Sequence, residues 1–458
     1  MKSLVSADQM RAAEEAVFAA EPGIDLMARA AAAVAEAAAA MTDAPVLVLV
    51  GSGNNGGDGL FAAARLAATR TVFFWAGGSA MHPGGLGAAR DAGCREVDAA
   101  GAVALLDEVG LVVDALVGIG GRPGLRPEAA VLAEACEALA VPVLAVDLPS
   151  GLDADSGEAH PSFRASRTVT FAAPKRCHVL EPARGRCGWV SVAEIGVPVP
   201  DTGLRQIDEA DVARWWPVPD WASDKYSRGV VGLHAGSRLY PGAAILSCAG
   251  ALGAGAGMVR YLGASGKGLI LGRFPSVVTA PGRAQAHVVG SGWGEPNPDL
   301  LRRLAETGLP VVADADALAG LPETPLSGWL LTPHAGELAR LLGVERAEVV
   351  ADPVAHARAA ATRTGASVLL KGATQLVAEP DGRVTFAVAG PAWTAQAGSG
   401  DVLAGAAGAL LAAGLEPWRA GVLAASLQAM TARRHPGPLA PDALAARFPS
   451  VIGALTVA

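Results

Sequence analysis

Lysine is scarce in this chain. Only Lys2, Lys175, Lys225, Lys267 and Lys371 occur among 36 basic residues, against 44 acidic ones and a net charge of −8. Nucleic-acid binding needs clustered cations to neutralise phosphate, and an anionic membrane surface needs a polybasic run; neither is present. Cysteine is also sparse. Five are scattered as Cys94, Cys136, Cys177, Cys187 and Cys248, with no C-x-x-C pair. An odd, unpatterned set argues against a disulfide framework or a zinc site and fits a reducing cytoplasm. Charged residues are only 17% and hydrophobic ones 51%, which excludes disorder and allows large cores. The first residues carry Asp8, Arg11, Glu14 and Glu15 and no apolar core of signal-peptide length. Pro241 to Val259 has no charge, yet its many Ala and Gly predict a tightly packed buried helix rather than a membrane span.

What is present is alternation. A helix is expected over Ala7 to Ala20, where Ser6 and Gln9 have capping-box spacing, and an Ala-rich helix follows to about Met41. Apolar runs at Val46–Val50, Val72–Trp75, Leu111–Val117, Val141–Val146 and Thr168–Phe171 then alternate with helical stretches, the pattern of a parallel sheet with crossovers. Between about Ile195 and Tyr226 turn-rich, proline-punctuated sequence breaks the pattern. Beyond it, strands are expected at Val230–His234, His287–Val289, Val311–Ala313, Trp329–Leu331, Ser367–Leu370 and Leu376–Ala378. We read two α/β domains, 1–208 and 209–458, with no repeat between them.

In the first half, Val46–Val50 runs into Gly51-Ser-Gly-Asn-Asn-Gly-Gly-Asp-Gly59, with a helix expected from Leu60. Gly51, Gly53 and Gly56 match G-x-G-x-x-G, but the next strand, through Val72-Phe-Phe-Trp75, lacks the carboxylate that a dinucleotide fold places there. The ordinary hydride-transfer fingerprint is therefore rejected. Backbone N–H groups at a helix start still suit an anion; an Asn-Gly turn is the bland alternative. Asp114 inside an apolar strand, and Asp147 and Ser150 at another strand's end, are costly to bury unless paired or coordinated, although a cap would explain any one of them.

These segments, with Phe171-Ala-Ala-Pro-Lys175, resemble the NAD(P)H-hydrate epimerase family over nearly all of residues 1–200. The resemblance implies a Rossmann-like three-layer α/β/α sandwich. It implies that Asn54, Asn55, Gly56, Gly57 and Asp58 line the hydrated-nicotinamide site. It also implies that Gly118, Ile119, Gly120, Gly121, Arg122, Pro123 and Gly124 wrap the substrate, and that a potassium ion is held by Asn55, Asp114 and Ser150. Asp147, against the reacting ring, is the acid/base candidate, with Lys175 as its partner. Ile119 stands where the family usually has Thr.

In the second half, Ala397-Gly-Ser-Gly-Asp401 precedes a helix whose leucines and glycines permit close packing. N–H groups at such a start stabilise charge on a transferring phosphoryl group. Asp401 in the first turn can accept a proton from a hydroxyl; a glycine linker capped by Asp is the alternative. Lys371-Gly-Ala-Thr374 ends a strand. His334 follows another, where a structural role is the commoner one. Asp314 and Asp316 end a third, where one of them could serve equally well as a cap. Gly263-Ala-Ser-Gly-Lys-Gly268 is not a Walker loop.

With Asp224-Lys-Tyr-Ser-Arg-Gly229 and Tyr240-Pro-Gly-Ala-Ala244, this half resembles the ADP-dependent NAD(P)H-hydrate dehydratases, of ribokinase-like fold, over about residues 210–450. The resemblance implies substrate contacts at Ala243, Gly292 and His334. It implies nucleotide contacts at Lys371, Gly372, Ala373, Thr374, Gln375 and Gly400, with Asp401 beside the hydrated ring. Ser291 replaces the usual Pro, Ser276 follows Pro275 where Glu is common, and Ala395-Gln-Ala397 replaces Ala-Thr-Gly. Together the halves imply metabolite repair of NADHX and NADPHX: epimerisation of the R and S forms, then dehydration of the S form with ADP and Mg2+, releasing AMP and phosphate. A cytoplasmic homo-oligomer without nucleic-acid or membrane partners is expected. A plain vitamin-precursor kinase and a non-catalytic dinucleotide sensor are the rival readings.

Overall fold

Val46-Leu-Val-Leu-Val50 is apolar on both faces and fully buried, as a strand covered by helices on both sides must be. Val46, Val48 and Val50 enter one core with the Leu26–Ala39 and Asn54–Leu66 helices, whereas Leu47 and Leu49 enter another with Leu132 and Phe163. This computed structural model describes residues 1–78 and 80–456, in two units, Lys2–Thr202 and Gly203–Ala458.

The first unit holds strands β1 (Val46–Val50), β2 (Val72–Ala76), β3 (Arg95–Val97), β4 (Leu111–Ala115), β5 (Val143–Val146), β6 (Arg167–Phe171) and β7 (Trp189–Ala193). Their order is β3-β2-β1-β4-β5-β6-β7, all parallel. The order reverses between β1 and β4, which opens a crevice at the carboxyl ends of the strands. The Rossmann-like sandwich is as expected, and Ser6 and Gln9 do form the capping box of the Ala7–Ala20 helix.

One expectation is corrected. The helix after β1 starts at Asn54, not Leu60, so Asn54–Gly59 is helix and only Gly51–Gly53 remains the loop leading into it. Glycine is a poor helix former, but here contacts outweigh propensity. A Cβ at Gly56 would lie 2.0 Å from the Gly51 carbonyl oxygen, and one at Gly59 would lie 2.4 Å from Ala115 Cβ.

The second unit holds β8 (Leu204–Gln206), β9 (Val230–His234), β10 (Met258–Tyr261), β11 (Ala286–Val289), β12 (Val311–Ala313), β13 (Trp329–Leu331), β14 (Ser367–Leu370), β15 (Leu376–Ala378) and β16 (Val384–Phe386). They run β8-β16-β15-β14-β13-β12-β11-β9-β10. β14 through β9 and β10 are parallel, and β15 pairs antiparallel with both neighbours. The uncharged segment forms the Pro241–Gly253 helix, and no helix among the described residues is long and apolar enough to cross a membrane. It packs on the Ser399–Ala412 helix at backbone distance: a Cβ at Gly250 would sit 2.0 Å from the Val402 carbonyl oxygen, and one at Gly405 2.0 Å from that of Ser247. Helix propensity alone favours Gly405→Ala by about 1 kcal/mol. The clash reverses the sign, and we expect a net loss of roughly 1–3 kcal/mol, read as a lower melting temperature.

Candidate active sites

In the first unit a cavity of about 920 Å³ opens at the switch point, lined by Glu14, Asn55, Asp58, Asp147, Ser150 and Lys175 among others. Asn54 and the whole Gly118–Gly124 loop also line it. Gly56 and Gly57 are turned into the packing, against Gly51 and Met27. Asp114 lies buried beneath Ser150.

Asp147 follows β5 in the left-handed region, at φ +67°, a conformation Asp tolerates better than most residues. Its Oδ1 accepts from Lys175 Nζ at 2.7 Å and Thr170 Oγ1 at 2.9 Å, and its Oδ2 from Ile119 N at 3.3 Å. Lys175 is 1% exposed and also donates to Thr170 Oγ1 at 2.7 Å. Burial alone would raise the Asp147 pKa, but the Lys175 charge and hydrogen bond, with the Thr170 hydrogen bond, hold it below its usual value. Asp58 is pushed the other way, up to about 8, by burial and by the charges of Asp147 and Glu14. Glu14 is raised by burial and by Asp147, against Lys175 and Arg11. One cavity thus presents an ionised carboxylate and a carboxylic acid near neutrality, the separation that acid/base chemistry needs. Gly118 lets the Gly118–Gly124 loop pass close to both polar side chains, since a Cβ there would meet Asn55 Oδ1 at 3.0 Å and Asp147 Oδ2 at 3.1 Å.

Behind Ser150, Asp114 is fully buried. Its Oδ1 accepts from Ser150 Oγ at 2.6 Å and its Oδ2 from Ser150 N at 2.7 Å. Burial still raises its pKa to about 6, and the groups opposing that, Ser150 and the Leu116 N–H, carry no charge. The amide nitrogen of Asn55 is buried without a hydrogen-bond partner. The oxygens of this set, the Asp114 carboxylate without a cationic neighbour, the Ser150 hydroxyl and the Asn55 side-chain carbonyl, are hard donors of the kind that suit a monovalent cation, whereas the Asn55 N–H group would have to face away from it.

Cys177, His178 and Cys187 place their ligand atoms within 4.8 Å of one another, all buried, a meeting that C-x-x-C spacing does not foresee. His178 Nδ1 accepts from Lys175 N at 3.0 Å, so the ring proton sits on Nε2. A metal at Nε2 would force that proton onto Nδ1, against the Lys175 N–H. The cluster therefore suits packing behind Lys175, not an ion.

In the second unit the carboxyl ends of adjacent strands converge. Ser291 follows β11, Asp314 β12, Thr332 β13 and Lys371 β14. Asp314, buried, accepts from Lys371 Nζ at 2.5 Å and Thr332 Oγ1 at 2.8 Å on Oδ1, and from Ser291 Oγ at 2.9 Å on Oδ2. It makes no cap hydrogen bond; Asp316 instead accepts from Gly294 N at 2.8 Å. Burial would depress the Lys371 pKa, but Asp314 and Glu337, with Asp401, raise it and keep the ammonium charged. A Cβ on Gly400 would lie 3.3 Å from Lys371 Nζ, so the lysine stands at the start of the Ser399–Ala412 helix. Asp401, in that first turn, is raised to about 6 by burial and Asp314, opposed by Lys371 and a Ser291 hydrogen bond. Ala243 and Gly292 are adjacent, a Cβ on Gly292 lying 2.5 Å from Ala243 Cβ. His334 is half-exposed and caps the Ala335–Leu342 helix, its Nδ1 accepting from Gly336 N at 3.0 Å. Lys371 to Gln375 form the turn between β14 and β15.

Residues 231–445 match the family described as NAD(P)H-hydrate dehydratase, and residues 23–177 match the YjeF-related protein N-terminus. The bifunctional NAD(P)H-hydrate repair enzyme Nnr of Mycobacterium tuberculosis is 41% identical, covering 91% of this chain and 90% of that protein. The chain belongs to the bifunctional NAD(P)H-hydrate repair enzyme family. The Corynebacterium glutamicum member of this family is 34% identical over 90% of this chain and 87% of its own length. The ADP/ATP-dependent NAD(P)H-hydrate dehydratase of Bacillus subtilis, crystallised with ATP and Mg2+, superposes with a TM-score of 0.51 at 24% identity, over 56% of this chain and 99% of that one. A ribokinase-like superfamily protein of Enterococcus faecalis gives 0.51 at 19% identity, over 56% and 98%. Both likenesses bear on the fold of the second unit.

Glu14, Thr170 and Thr332 take part in these sites without having been singled out in the sequence. Only the helical spacing of Glu14 from Met10 and Arg11, on one amphipathic face, could have hinted at the first.

Proposed function

We propose that the chain restores hydrated NADH and NADPH in two steps, with each unit performing one. The observation that carries this reading is Asp401 in the first turn of a helix, beside Gly400 and the charged Lys371.

In the second unit, Asp401 accepts the proton of the ring hydroxyl as that oxygen attacks the β-phosphorus of ADP and AMP departs. Lys371, steadied by Asp314, faces the phosphate charge, and the N–H groups of Gly398 to Gly400 cradle it. The phosphate then leaves the ring carbon with its bonding electrons while the ring nitrogen forms a C=N+ bond. Loss of the neighbouring C–H proton restores the dihydropyridine. Magnesium entering with ADP supplies charge neutralisation. Product analysis tests the step: AMP and phosphate should appear only when hydrated cofactor is present. ADP turnover without it would overturn the reading.

In the first unit, the hydroxylated carbon inverts when its C–O bond breaks, the hydroxyl leaving as water with a delivered proton while the ring nitrogen forms a C=N+ bond, and water then adds to the opposite face and gives up one proton. Asp58, protonated near neutrality, delivers; Asp147, held ionised by Lys175, removes. Epimerisation should therefore decline as pH rises through about 8, where Asp58 loses its proton. A rate that keeps climbing across that range would contradict the assignment. Asn55, Asp114 and Ser150 would hold potassium, which supplies fixed positive charge beside the substrate loop. We expect potassium to raise the melting temperature of the first unit and Asp114→Asn to abolish that response. A response unchanged in Asp114→Asn would place the ion elsewhere. Five reduced, buried cysteines accord with a cytoplasmic setting.

A further inference from the structure

We infer that the Ser399 side chain is a further binding group of the second unit: its hydroxyl donates a hydrogen bond to the terminal phosphoryl group of ADP, beside Gly400 and Lys371. The inference rests on the reading that this phosphoryl group is attacked at the start of the Ser399–Ala412 helix.

Ser399 is 8% exposed, and its Oγ is buried without a hydrogen-bond partner. A buried hydroxyl that bonds nothing is unfavourable, and neighbouring hydroxyls avoid that state. Ser426 and Thr431, in the Pro417–Arg434 helix, each donate to the carbonyl four residues back at 2.7 Å. Ser399 is the first residue of its helix, so no preceding turn offers it such an acceptor. Its backbone is held all the same, the carbonyl accepting from Gln428 Nε2 at 3.0 Å. The hydroxyl alone is left over.

Helix geometry sets where that hydroxyl leans. Each Cα–Cβ bond tilts towards the amino end of its helix, so at the first position the side chain leans out over the helix start. No side chain caps that start. Gly398 stands at the capping position with φ +90°, and a Cβ there would lie 2.5 Å from Leu246 Cδ1. The Ser, Thr, Asp or Asn that usually closes a helix is thereby excluded. The first N–H groups of a helix find no acceptor within it. Lys371 adds a charged ammonium, its Nζ only 3.3 Å from where a Cβ on Gly400 would lie. Uncapped N–H groups, an unpartnered hydroxyl and an ammonium are all donors. One phosphoryl group, with its charge and several oxygens, answers them together.

Ser247 supplies a contrast within the same unit. Its Oγ is also buried and unpartnered, but it lies in the middle of the Pro241–Gly253 helix, where its backbone packs on Gly405.

The test measures calorimetric binding of ADP and of AMP, each with Mg2+, to the full chain, together with melting of the unliganded chain. Ser399→Ala should weaken ADP binding roughly 10- to 100-fold, the worth of a hydrogen bond to a charged group. AMP lacks the terminal phosphoryl group, so its affinity should stay within about twofold. The melting temperature should hold or rise, because an unsatisfied hydroxyl is removed. Ser399→Cys, close in size and a weak donor, should fall between wild type and Ser399→Ala in ADP affinity. Ser247→Ala should also hold or raise the melting temperature, yet bind both nucleotides as wild type does. Ser399→Ala binding ADP as Ser247→Ala does, or losing ADP and AMP alike, would overturn the inference. So would a melting temperature lowered in both Ser399 variants. Should the wild-type chain release no AMP from ADP in the presence of NADHX, the underlying reading of the helix start fails instead.

Discussion

Asp401→Asn is expected to slow ADP-dependent dehydration by a factor of about 10²–10⁴, the range a positioned general base contributes, and to leave epimerisation untouched. The substitution keeps volume and first-turn geometry while removing only the proton acceptor. Stability should not suffer. Burial and Asp314 make the Asp401 charge unfavourable above its pKa of about 6, so a neutral amide relieves rather than adds cost at pH 7. Loss of rate without loss of melting temperature is thus the signature. Rate and melting temperature falling together would point to a structural role instead. Epimer interconversion in the same sample supplies the internal control, because its residues all lie in the other unit.

Lys175→Met is expected to destabilise the first unit by about 3–5 kcal/mol, the usual consequence of leaving a buried carboxylate without its counter-charge, and to suppress epimerisation. Asp147 and Lys175 are both buried, and their hydrogen bond is 2.7 Å long. The Asp147 pKa is held low in the folded state. The stability this contributes is present at pH values above the ordinary aspartate pKa and is lost as pH falls through the lower folded value. The penalty in Lys175→Met should accordingly be large near neutrality and shrink on acidification, as Asp147 takes up a proton and no longer needs a partner. Adding Asp147→Asn should recover much of the stability but none of the epimerisation. Urea unfolding at two pH values, with and without the second substitution, reads this directly. A penalty that is independent of pH would show that Lys175 matters through its packing, not its charge.

Much of this architecture is visible in the chain itself, for a reason that also explains what is hidden. Strands buried on both faces, such as Val46–Val50 and Trp329–Leu331, must be apolar at every position, so they stand out from the helices around them. Edge strands carry no such demand. Arg95–Val97 is short and charged, and Trp189–Ala193 leaves Trp189 56% exposed; neither announces itself. The helix beginning at Asn54 was obscured by its glycines, which satisfy contacts with Gly51 and Ala115 rather than local preference. At the sites, the carboxylates at strand ends were legible because burying Asp114 or Asp147 in an apolar run demands a reason. Lys175 beside Asp147 and Ser150 beside Asp114 came with the family resemblance, not from spacing. Ser291, Asp314, Thr332 and Lys371 meet only because four parallel strands bring their carboxyl ends side by side, and Glu14 reaches the first cavity from a helix far earlier in the chain. That Asp58 is held protonated near neutrality while Asp147 stays ionised follows from Lys175 lying against one and not the other, which spacing alone does not state.

The most direct test of two-step repair is a single incubation of the full chain with a mixture of R and S NADHX and ADP. Dihydronicotinamide absorbance and AMP release are followed together. The account predicts rapid recovery of NADH from both epimers, with one AMP for each NADH formed, and an Asp147→Asn variant that rapidly consumes only the S form. Accumulation of a stable phosphorylated product, or AMP release out of step with NADH, would contradict it.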